Sequence, residues 1–542
     1  MLNNKVPQRF MMLLVLIMVP VLARAGDKKN NPPPPPPKPA PQVRTSPAPR
    51  QVQPAPRPMQ RTTVQPTHVQ PANTGVRPTG AAGTNPNIRT GGITHTGVVN
   101  PNAHTGVAGP TTRTGVVSPN VHTGGLTGHP SPTHTVATRG GGRMEVDRNN
   151  RPTHFVGKEG HEARFGPKGQ IREVHDPKRN MMIEHGLRRG DTRIVTERNG
   201  RRLVGMGPHR GYMERPFLNR NGRAYYQRTY WAGGHPYARV YREHYYGGVR
   251  YYHYVPAYYY HPAFYGWAYN PWPAPVRYQW GWYGDPWYAY YGPYFVPAPA
   301  YPTASLWLTD FLLAENLKLA YEAKKDAEAN REAYQPDEQP KTPEGESPAA
   351  TQLSPEVKAA IEAEVKRQLA ADQAAAQSPQ AQPVNDQVPP PALDPAQRLF
   401  VVSSNLGVST AEGQECELTP GDVITRLDDT PGDDNKVRVS VMSSKQKDCS
   451  IGAMPRVAVN DLQEMHNSFR QQLDSGLKTL AENSGTGGLP KASDTQTTAG
   501  EVPPPSPDRN VDAQLADQQK EADQAEREVQ QEVQTGQAPP SQ

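Results

Sequence analysis

Short runs of alternating apolar and polar residues, broken by turn residues, dominate the middle of the chain. In residues 192–204, two such runs flank Asn199-Gly200, and the same Arg-Asn-Gly-Arg turn recurs at residues 220–223. An Asn-Gly pair favours the tight type I′ turn that joins two antiparallel strands. The pattern predicts a meander of β-hairpins over residues 143–230.

Helical periodicity replaces this alternation farther along the chain. Apolar residues spaced three and four apart predict an amphipathic helix in residues 302–335 and another in 354–377. Ser354 as N-cap and Pro355 at the first helical position open the second helix. Its apolar stripe is narrow, which fits either pairing with another helix or an isolated helix. A capping box predicts a third helix that begins at Asp461. The apolar stripe of that helix comprises Leu462, Met465, Phe469, Leu473, Leu477 and Leu480.

Four short runs rich in β-branched residues precede this third helix. They lie at residues 399–402, 422–424, 437–441 and 457–459. Runs of this length and composition are typical of strands. Together with the helix they predict a small β domain over residues 395–485, which we interpret as an SH3-like β-barrel with a trailing helix.

The same region also resembles PDZ domains in two places. Residues 421–424 read Gly-Asp-Val-Ile, and residues 405–408 resemble the carboxylate-binding loop of that family. The resemblance implies that a strand edge captures the carboxy terminus of a peptide. Leu406, Gly407 and Val408 are then the peptide-binding residues. The SH3-like and PDZ-like interpretations are alternatives.

The amino terminus has the order of a secretory leader. Lys5 and Arg9 precede an apolar run over residues 11–22, which ends in a small-x-small site at residues 23–25. This order predicts a signal peptide over residues 1–25. A membrane anchor is the alternative, although a dozen apolar residues are fewer than the ~20 that span a bilayer. We therefore expect an exported protein without a transmembrane span, in the periplasm, at the cell surface or secreted.

Export gives the two cysteines a role. Cys416 and Cys449 are the chain's whole complement of cysteine. An even number of cysteines in an oxidising compartment predicts one disulfide, with two free thiols as the alternative. The bond would stabilise a domain whose hydrophobic core is small.

Composition limits how much of the chain can fold. Of 542 residues, 61 are Pro and 47 are Gly, and only 35% are hydrophobic. Such a chain is too polar for one large globule. The expected fold class is mostly disordered chain with β-rich islands: a basic β-hairpin meander plus a Tyr/Trp-rich layer, and a small disulfide-bonded SH3-like β-barrel with a trailing helix. The predicted segments are the signal peptide (1–25), a disordered Pro/Thr/Gly-rich arm (26–138), the basic β-hairpin and Tyr/Trp-rich module (139–301), an amphipathic helix (302–335), a linker (336–353), a helix (354–377), a Pro-rich linker (378–394), the small β domain (395–485) and a disordered acidic tail (486–542). Within the tail, a transient helix is expected near residues 511–534.

Charge is divided unevenly along the chain. The net charge of +7 combines 38 Lys and Arg against 13 Asp and Glu in residues 1–308 with 21 against 39 in residues 309–542. A basic half attracts anionic polymers or surfaces, and an acidic half competes for it within the same or a neighbouring molecule.

Aromatic residues concentrate in one block. Residues 225–301 hold 22 of the 25 Tyr and six of the seven Trp. The block resembles uncharacterised exported bacterial envelope proteins with Tyr/Trp-Gly-rich repeats, which implies an envelope location. The rings either pack on one another or stay exposed to stack on sugars beside Arg side chains. The candidate ligand-binding rings are Trp267, Trp272, Trp280, Trp282 and Trp287.

Signatures of catalysis and of metal binding are incomplete. Residues 161–165 begin like a zinc-protease motif but lack the second His, and residues 205–211 miss the spacing of a dinucleotide-binding loop. The acids at residues 428–435 depart from the calcium-loop pattern and fit a solvated turn. We therefore predict no catalytic residue, no metal ligand and no cofactor.

These features favour a non-enzymatic exported envelope protein. Its basic aromatic module would bind an anionic or carbohydrate polymer of the cell wall or matrix, while the small domain docks another envelope protein. Cytosolic nucleic acid is not an expected partner. The alternative is a PDZ-like peptide-binding adaptor that works through residues 395–485.

Overall fold

A large antiparallel sheet opens the part of the chain that the structure describes. The structure is a computed structural model and describes residues 134–138, 140–188, 190–207, 210–334, 351–377, 388–445 and 449–536. Each strand of the sheet pairs with the next one along the chain, so the predicted antiparallel meander is confirmed. Its twelve strands are β1 (His134–Ala137), β2 (Arg143–Val146), β3 (Pro152–Val156), β4 (Glu162–Phe165), β5 (Ile171–Asp176), β6 (Met181–His185), β7 (Thr192–Arg198), β8 (Arg201–Gly205), β9 (Gly211–Arg220), β10 (Arg223–Ala232), β11 (His235–Tyr246) and β12 (Val249–Val255).

Two of the hairpin turns have the backbone that their Asn-Gly pairs predict. Asn199 and Gly200 have φ values of 52° and 70°, and Asn221 and Gly222 have φ values of 52° and 73°. A type I′ turn needs a positive φ at both central residues, which Asn and Gly tolerate best. These pairs therefore set the register of strands β7–β8 and β9–β10.

The remaining strands and helices follow the sheet. A short strand pair joins distant segments, because β13 and β20 are antiparallel neighbours. These elements are β13 (Tyr258–Tyr260), α1 (Pro262–Tyr269), α2 (Pro286–Tyr291), α3 (Ala304–Tyr334), α4 (Pro355–Gln377), β14 (Leu399–Val401), β15 (Leu406–Thr410), β16 (Glu415–Leu418), β17 (Val423–Arg426), β18 (Lys436–Ser443), β19 (Pro455–Ala458), α5 (Val459–Glu482), β20 (Thr497–Ala499) and α6 (Val511–Gly536).

Both faces of the large sheet are covered. Cross-strand partners such as Phe155 and Ala163 lie on the face that packs against α6. The opposite face meets α5, where Tyr241 accepts a hydrogen bond from the side chain of Gln471 at 2.6 Å. Because strand side chains alternate between faces, one strand can serve both contacts: Arg228 of β10 pairs with Glu464 of α5, and the neighbouring Gln227 donates to the carbonyl of Ser506 before α6.

The carboxy-terminal strands form a second sheet. Its order is β14-β17-β18-β19-β15-β16. The SH3-like barrel is not confirmed by this arrangement. The disulfide is confirmed: Cys416 of β16 is bonded to Cys449, and the two Cα atoms lie 5.0 Å apart. The bond links an edge strand to the segment after β18, within the core that α5 completes.

Helices α3, α4 and α5 share one core with the aromatic block. Trp307 and Leu308 of α3 are completely buried there. Gly476 of α5 allows a close helix crossing, because a Cβ at this position would lie 2.6 Å from a methyl group of Leu308. The carboxylate of Asp310 accepts a hydrogen bond from the amide of Ala298 and pairs with Lys358 of α4. Polar contacts therefore fix the helices against the aromatic layer.

Several parts of the fold differ from the expectations. The helix expected to be transient near residues 511–534 is α6 (511–536), and it packs on the sheet, because the sheet supplies the apolar partner that an isolated helix lacks. Helix α5 begins at Val459 rather than at Asp461, so the predicted capping box does not form. The described residues belong to one compact unit, not to separate islands.

Some predictions fall wholly or partly on undescribed residues. The signal peptide lies outside the described residues, and so does the predicted arm, except for residues 134–138, in which β1 pairs with β2. Most of the linker at 336–353 lies outside them too. Among the described helices, none combines the length and apolarity needed to cross a bilayer.

Candidate functional site

A row of exposed basic side chains lines one edge of the large sheet. By edge we mean the side at which the strands end and alternate turns lie. In a meander, every second turn lies at the same edge, so turns that join strand pairs β1–β2 to β9–β10 are neighbours. Consecutive turns of this row are about 10 Å apart, since adjacent strands are about 4.8 Å apart. We name this row the basic rim. It comprises Arg143, Lys158, Lys178, Arg198, Arg201 and Arg220, all of which are exposed.

An acidic segment crosses the sheet next to the basic rim. We name residues 501–536 the acidic strap. Its helix α6 places Glu521 2.6 Å from the guanidinium of Arg198 and Glu528 2.8 Å from that of Arg179. Seven residues of helix rise about 10.5 Å, which matches two strand spacings of about 4.8 Å. One heptad of the helix therefore spans one hairpin of the sheet.

The start of the strap makes a second set of charged contacts. The carboxylate of Glu501 lies 3.2 Å from Arg223 and 3.3 Å from Arg242, and it accepts a hydrogen bond from the hydroxyl of Tyr225. Arg223 is buried, so its charge needs this partner. The strap thus neutralises basic residues of the sheet from β5 to β11.

Apolar contacts hold the strap between these charges. Ala522, Ala525, Val529 and Val533 are buried against the sheet at heptad spacing. Gln518 extends the stripe with polar contacts: its amide nitrogen lies 3.0 Å from the carbonyl oxygen of Leu203. A stripe of alanine and valine is thin, because each side chain buries little area. Charge pairing therefore helps to determine where along the sheet α6 docks.

Electrostatics at Arg179 favour the ionised forms. Two hydrogen bonds from Arg179 lower the pKa of Glu528 to about 2. Burial acts to raise the pKa of Asp176, but hydrogen bonds from Arg179 outweigh it and the pKa falls below its ordinary value. Both carboxylates are consequently charged across the range of pH in which most proteins are stable.

A buried arginine connects the other face of the sheet to α5. Arg228 is completely buried, and it pairs with Glu214 at 2.6 Å and with Glu464 at 2.7 Å. Its guanidinium carbon lies 4.0 Å from the ring centroid of Tyr241 and 5.0 Å from that of Tyr252. These ion pairs and ring contacts account for part of the tyrosine enrichment. They point to assembly of the core rather than to an open ligand site.

The five tryptophans proposed as ligand-binding rings are packed together. Trp272, Trp280 and Trp287 are 5%, 5% and 4% exposed, while Trp267 and Trp282 are half-buried against the same core. Trp280 stacks on Trp282 at 5.2 Å, and Trp282 lies 5.0 Å from Trp287. The three buried rings present no free face to a ligand. Of the five rings, only Trp267 and Trp282 have a partly exposed surface on which a sugar could stack.

The proposed peptide-binding residues lie in a paired strand. Leu406, Gly407 and Val408 belong to β15 and pair with residues 416–418 of β16. A Cβ at Gly407 would lie 3.7 Å from Leu187 in the turn between β6 and β7. One backbone edge of this segment is therefore already hydrogen-bonded to β16, and the position of Gly407 faces Leu187.

Sequence reasoning missed a pair of buried carboxyl groups between the two sheets. Asp191 follows β6 and Glu417 lies in β16, and they are 9% and 4% exposed. Burial and the neighbouring carboxyl of Asp191 raise the pKa of Glu417, while Arg188 opposes the shift from 3.3 Å. The two side chains meet beside Gly186, so the pair joins the turn after β6 to the second sheet. No local motif predicts it, since the residues are far apart in sequence.

A histidine and two carboxylates also meet under α6. His161, Asp176 and Glu528 each offer one ligand atom, and these atoms lie within 4.8 Å of one another. His161 and Asp176 are 15 positions apart, but Glu528 lies 352 positions beyond Asp176, a separation that no motif spacing reveals. The cluster lies beside Arg179, at the centre of the strap contact.

No family model, curated protein or solved structure matches the chain.

Proposed function

We propose that this chain is a non-enzymatic exported protein of the cell envelope that binds a linear anionic polymer of the wall or matrix along its basic rim. The observation that carries the proposal is the regular row of exposed cations at one sheet edge. A repeat of about 10 Å would let the acidic groups on alternate sugar units of a linear polyanion each meet one cation of the basic rim. The predicted leader and the Cys416–Cys449 disulfide support an extracytoplasmic setting.

The acidic strap supports the same assignment. Its acids at heptad spacing meet basic side chains of the same hairpins, so anionic groups at this repeat are a suitable ligand for the sheet. Lys158, Lys178 and Arg201 take part in none of the salt bridges found among the described residues. They therefore remain as the cations that a polymer would contact.

The carbohydrate part of the proposal depends on two rings. Trp267 and Trp282 are the half-buried members of the aromatic cluster. A sugar face stacked on either ring would add apolar contact to the charge attraction. We expect this contribution to be secondary, because three of the five rings are covered.

Binding of the full chain to alginate, a linear polyuronate, tests the proposal, with neutral dextran as the uncharged control polymer. The variant K178E/R201E reverses two rim charges, and R148E/K168E makes the same charge change at exposed turns of the opposite edge. We expect alginate affinity to fall about tenfold or more in the first variant, since each exposed contact contributes up to about 1 kcal/mol. The control variant should change little.

Salt provides a second criterion. Binding at the rim should weaken steadily as sodium chloride rises, because exposed charges are screened beyond about 10 Å at 0.1 M. An equal loss in both variants would show attraction to net charge alone and would reject the rim as the site. Binding that ignores salt, or that is as strong for dextran, would reject the anionic ligand.

A further inference from the structure

The imidazole of His161 is buried without a hydrogen bond. It lies at the end of the turn between β3 and β4, beneath α6, and is only 3% exposed. Neither ring nitrogen has a hydrogen-bond partner among the described residues. Burying a polar group without a partner carries a free-energy cost, so a ligand for this ring is expected.

Carboxylates face both sides of this ring at distances too long for hydrogen bonds. Nε2 lies 3.7 Å from Oδ1 of Asp176, and Nδ1 lies 3.6 Å from Oε1 of Glu532. Glu528 adds a third carboxylate within 4.8 Å of the ring. The three carboxylates and the guanidinium of Arg179 together carry a net charge of −2, which a divalent cation neutralises.

We propose that His161, Asp176 and Glu528 bind a divalent transition-metal ion, with Zn²⁺ as the best match. Nitrogen and carboxylate ligands about 2.0–2.2 Å from tetrahedral zinc lie about 3.4 Å from one another. The separation of 3.7 Å between His161 and Asp176 is close to this value, and the whole set lies within 4.8 Å. Small side-chain adjustments therefore suffice to close the site around an ion, with water as the fourth ligand.

The groups around the site match what metal ligands need. A ligating histidine usually directs its second nitrogen at a carboxylate, and Glu532 stands at Nδ1. Ligating carboxylates are usually held by donors of their own. Arg179 donates to the outer oxygen of Asp176 at 2.5 Å and to Glu528 at 2.8 Å, while the amide of Lys178 donates to Oδ1 of Asp176. The ion would tie α6 to two hairpins at once.

Metal titration of the full chain tests this site. After treatment with EDTA, Zn²⁺ alone is titrated by calorimetry, and thermal unfolding is followed with and without zinc. We expect one tight site and a melting temperature that rises with zinc concentration, because an ion bound by the folded state stabilises it. A Co²⁺ titration should give the absorption bands of a low-symmetry site.

The chain offers a matched control histidine. His154 lies on the neighbouring strand β3 between Glu145 and Glu162, but its side chain is 27% exposed. We expect H161A to abolish the tight zinc site and H154A to keep it. Should H161A fail to fold by circular dichroism, E532Q replaces it, with an expected loss of 10- to 100-fold in zinc affinity.

Defined outcomes would overturn the proposal. One is unchanged zinc binding in H161A or E532Q, which would place the metal on other residues. Another is Ca²⁺ binding as tight as Zn²⁺ binding, which would show an oxygen site without the imidazole. Absence of a zinc-dependent change in melting temperature would also reject it.

Discussion

Glu528 of α6 and Arg179 of the turn before β6 form a two-pronged ion pair, with nitrogen-oxygen distances of 2.8 and 2.9 Å. The two residues are 349 positions apart in the chain. Their contact lies where the acidic strap, the basic hairpins and the proposed metal site meet. It gives the opposed charges of the two halves of the chain a physical meaning, since the acidic part neutralises the basic sheet within one molecule.

Removing this carboxylate should loosen the strap in a pH-dependent way. Because the folded-state pKa of Glu528 is lowered from 4.5 to about 2, its contribution to stability is complete above pH 4.5 and is lost as pH falls toward 2. The side chain is 35% exposed, which limits this contribution to about 1 kcal/mol. In protein freed of metal with EDTA, amide exchange of residues 511–536 should be about fivefold faster in E528Q than in the wild type at pH 7.

The matched comparison is D517N, whose side chain is 71% exposed and pairs only with Lys520 of the same helix among the described contacts. This variant should exchange like the wild type. The gap between wild type and E528Q should close as pH falls from 4.5 toward 2. A gap that widens on acidification would contradict the ion-pair interpretation.

The apolar stripe of the strap should contribute more than any one of its charges. Val529 is completely buried against the sheet. V529A removes two methyl groups and leaves a cavity, so we expect a loss of about 1.5–2.5 kcal/mol in the free energy of unfolding by urea. Gln530 beside it is exposed, and Q530A should stay within about 0.5 kcal/mol of the wild type. Similar values for both variants would mean that α6 does not dock.

The buried arginine, Arg228, should contribute strongly to the stability of the fold. R228M leaves Glu214 buried without its cation, for which a loss of about 3–5 kcal/mol is expected in urea unfolding. Adding E214Q removes the stranded charge, so the double variant should be more stable than R228M alone. A double variant that is less stable than R228M would show that other partners of Glu214 contribute more to stability than Arg228 does.

The disulfide should stabilise the small sheet. Cys416 and Cys449 are separated by 33 positions. Closing a loop of this length restricts the unfolded chain by about 3–4 kcal/mol, which C416S/C449S should lose. Urea unfolding with and without dithiothreitol measures the effect. Reductant should shift the wild type to the midpoint of the variant and leave the variant unchanged; a further shift in the variant would show that the reductant acts elsewhere.

Local chemistry made part of the fold predictable. The Asn199-Gly200 pair indicates a tight hairpin because few other residue pairs adopt its backbone, and the turn has the expected positive φ values. Six apolar residues at helical spacing indicate α5, and all six are buried in the structure. In both places the sequence pattern and the tertiary contacts favour the same conformation.

Long-range contacts made the rest unpredictable. The stripe of α6 consists of small residues, and its burial depends on strands that lie more than 300 positions away. The number of tryptophans was evident, but not that Trp280 would be covered by Trp282 and Trp307. The cluster around His161 was unpredictable for the same reason. A zinc-protease motif would place the second histidine four residues after the first, and no ligand lies there. Only the fold brings Asp176 and Glu528 to His161.

The last described helix covers some of the first described strands, and this order matters during biogenesis. Strands β2–β7 lose their apolar cover if residues 511–536 are absent. A chain synthesised from its amino end must therefore leave that surface open to solvent until α6 has left the ribosome. During that interval the half-made sheet is a target for aggregation and for holding chaperones.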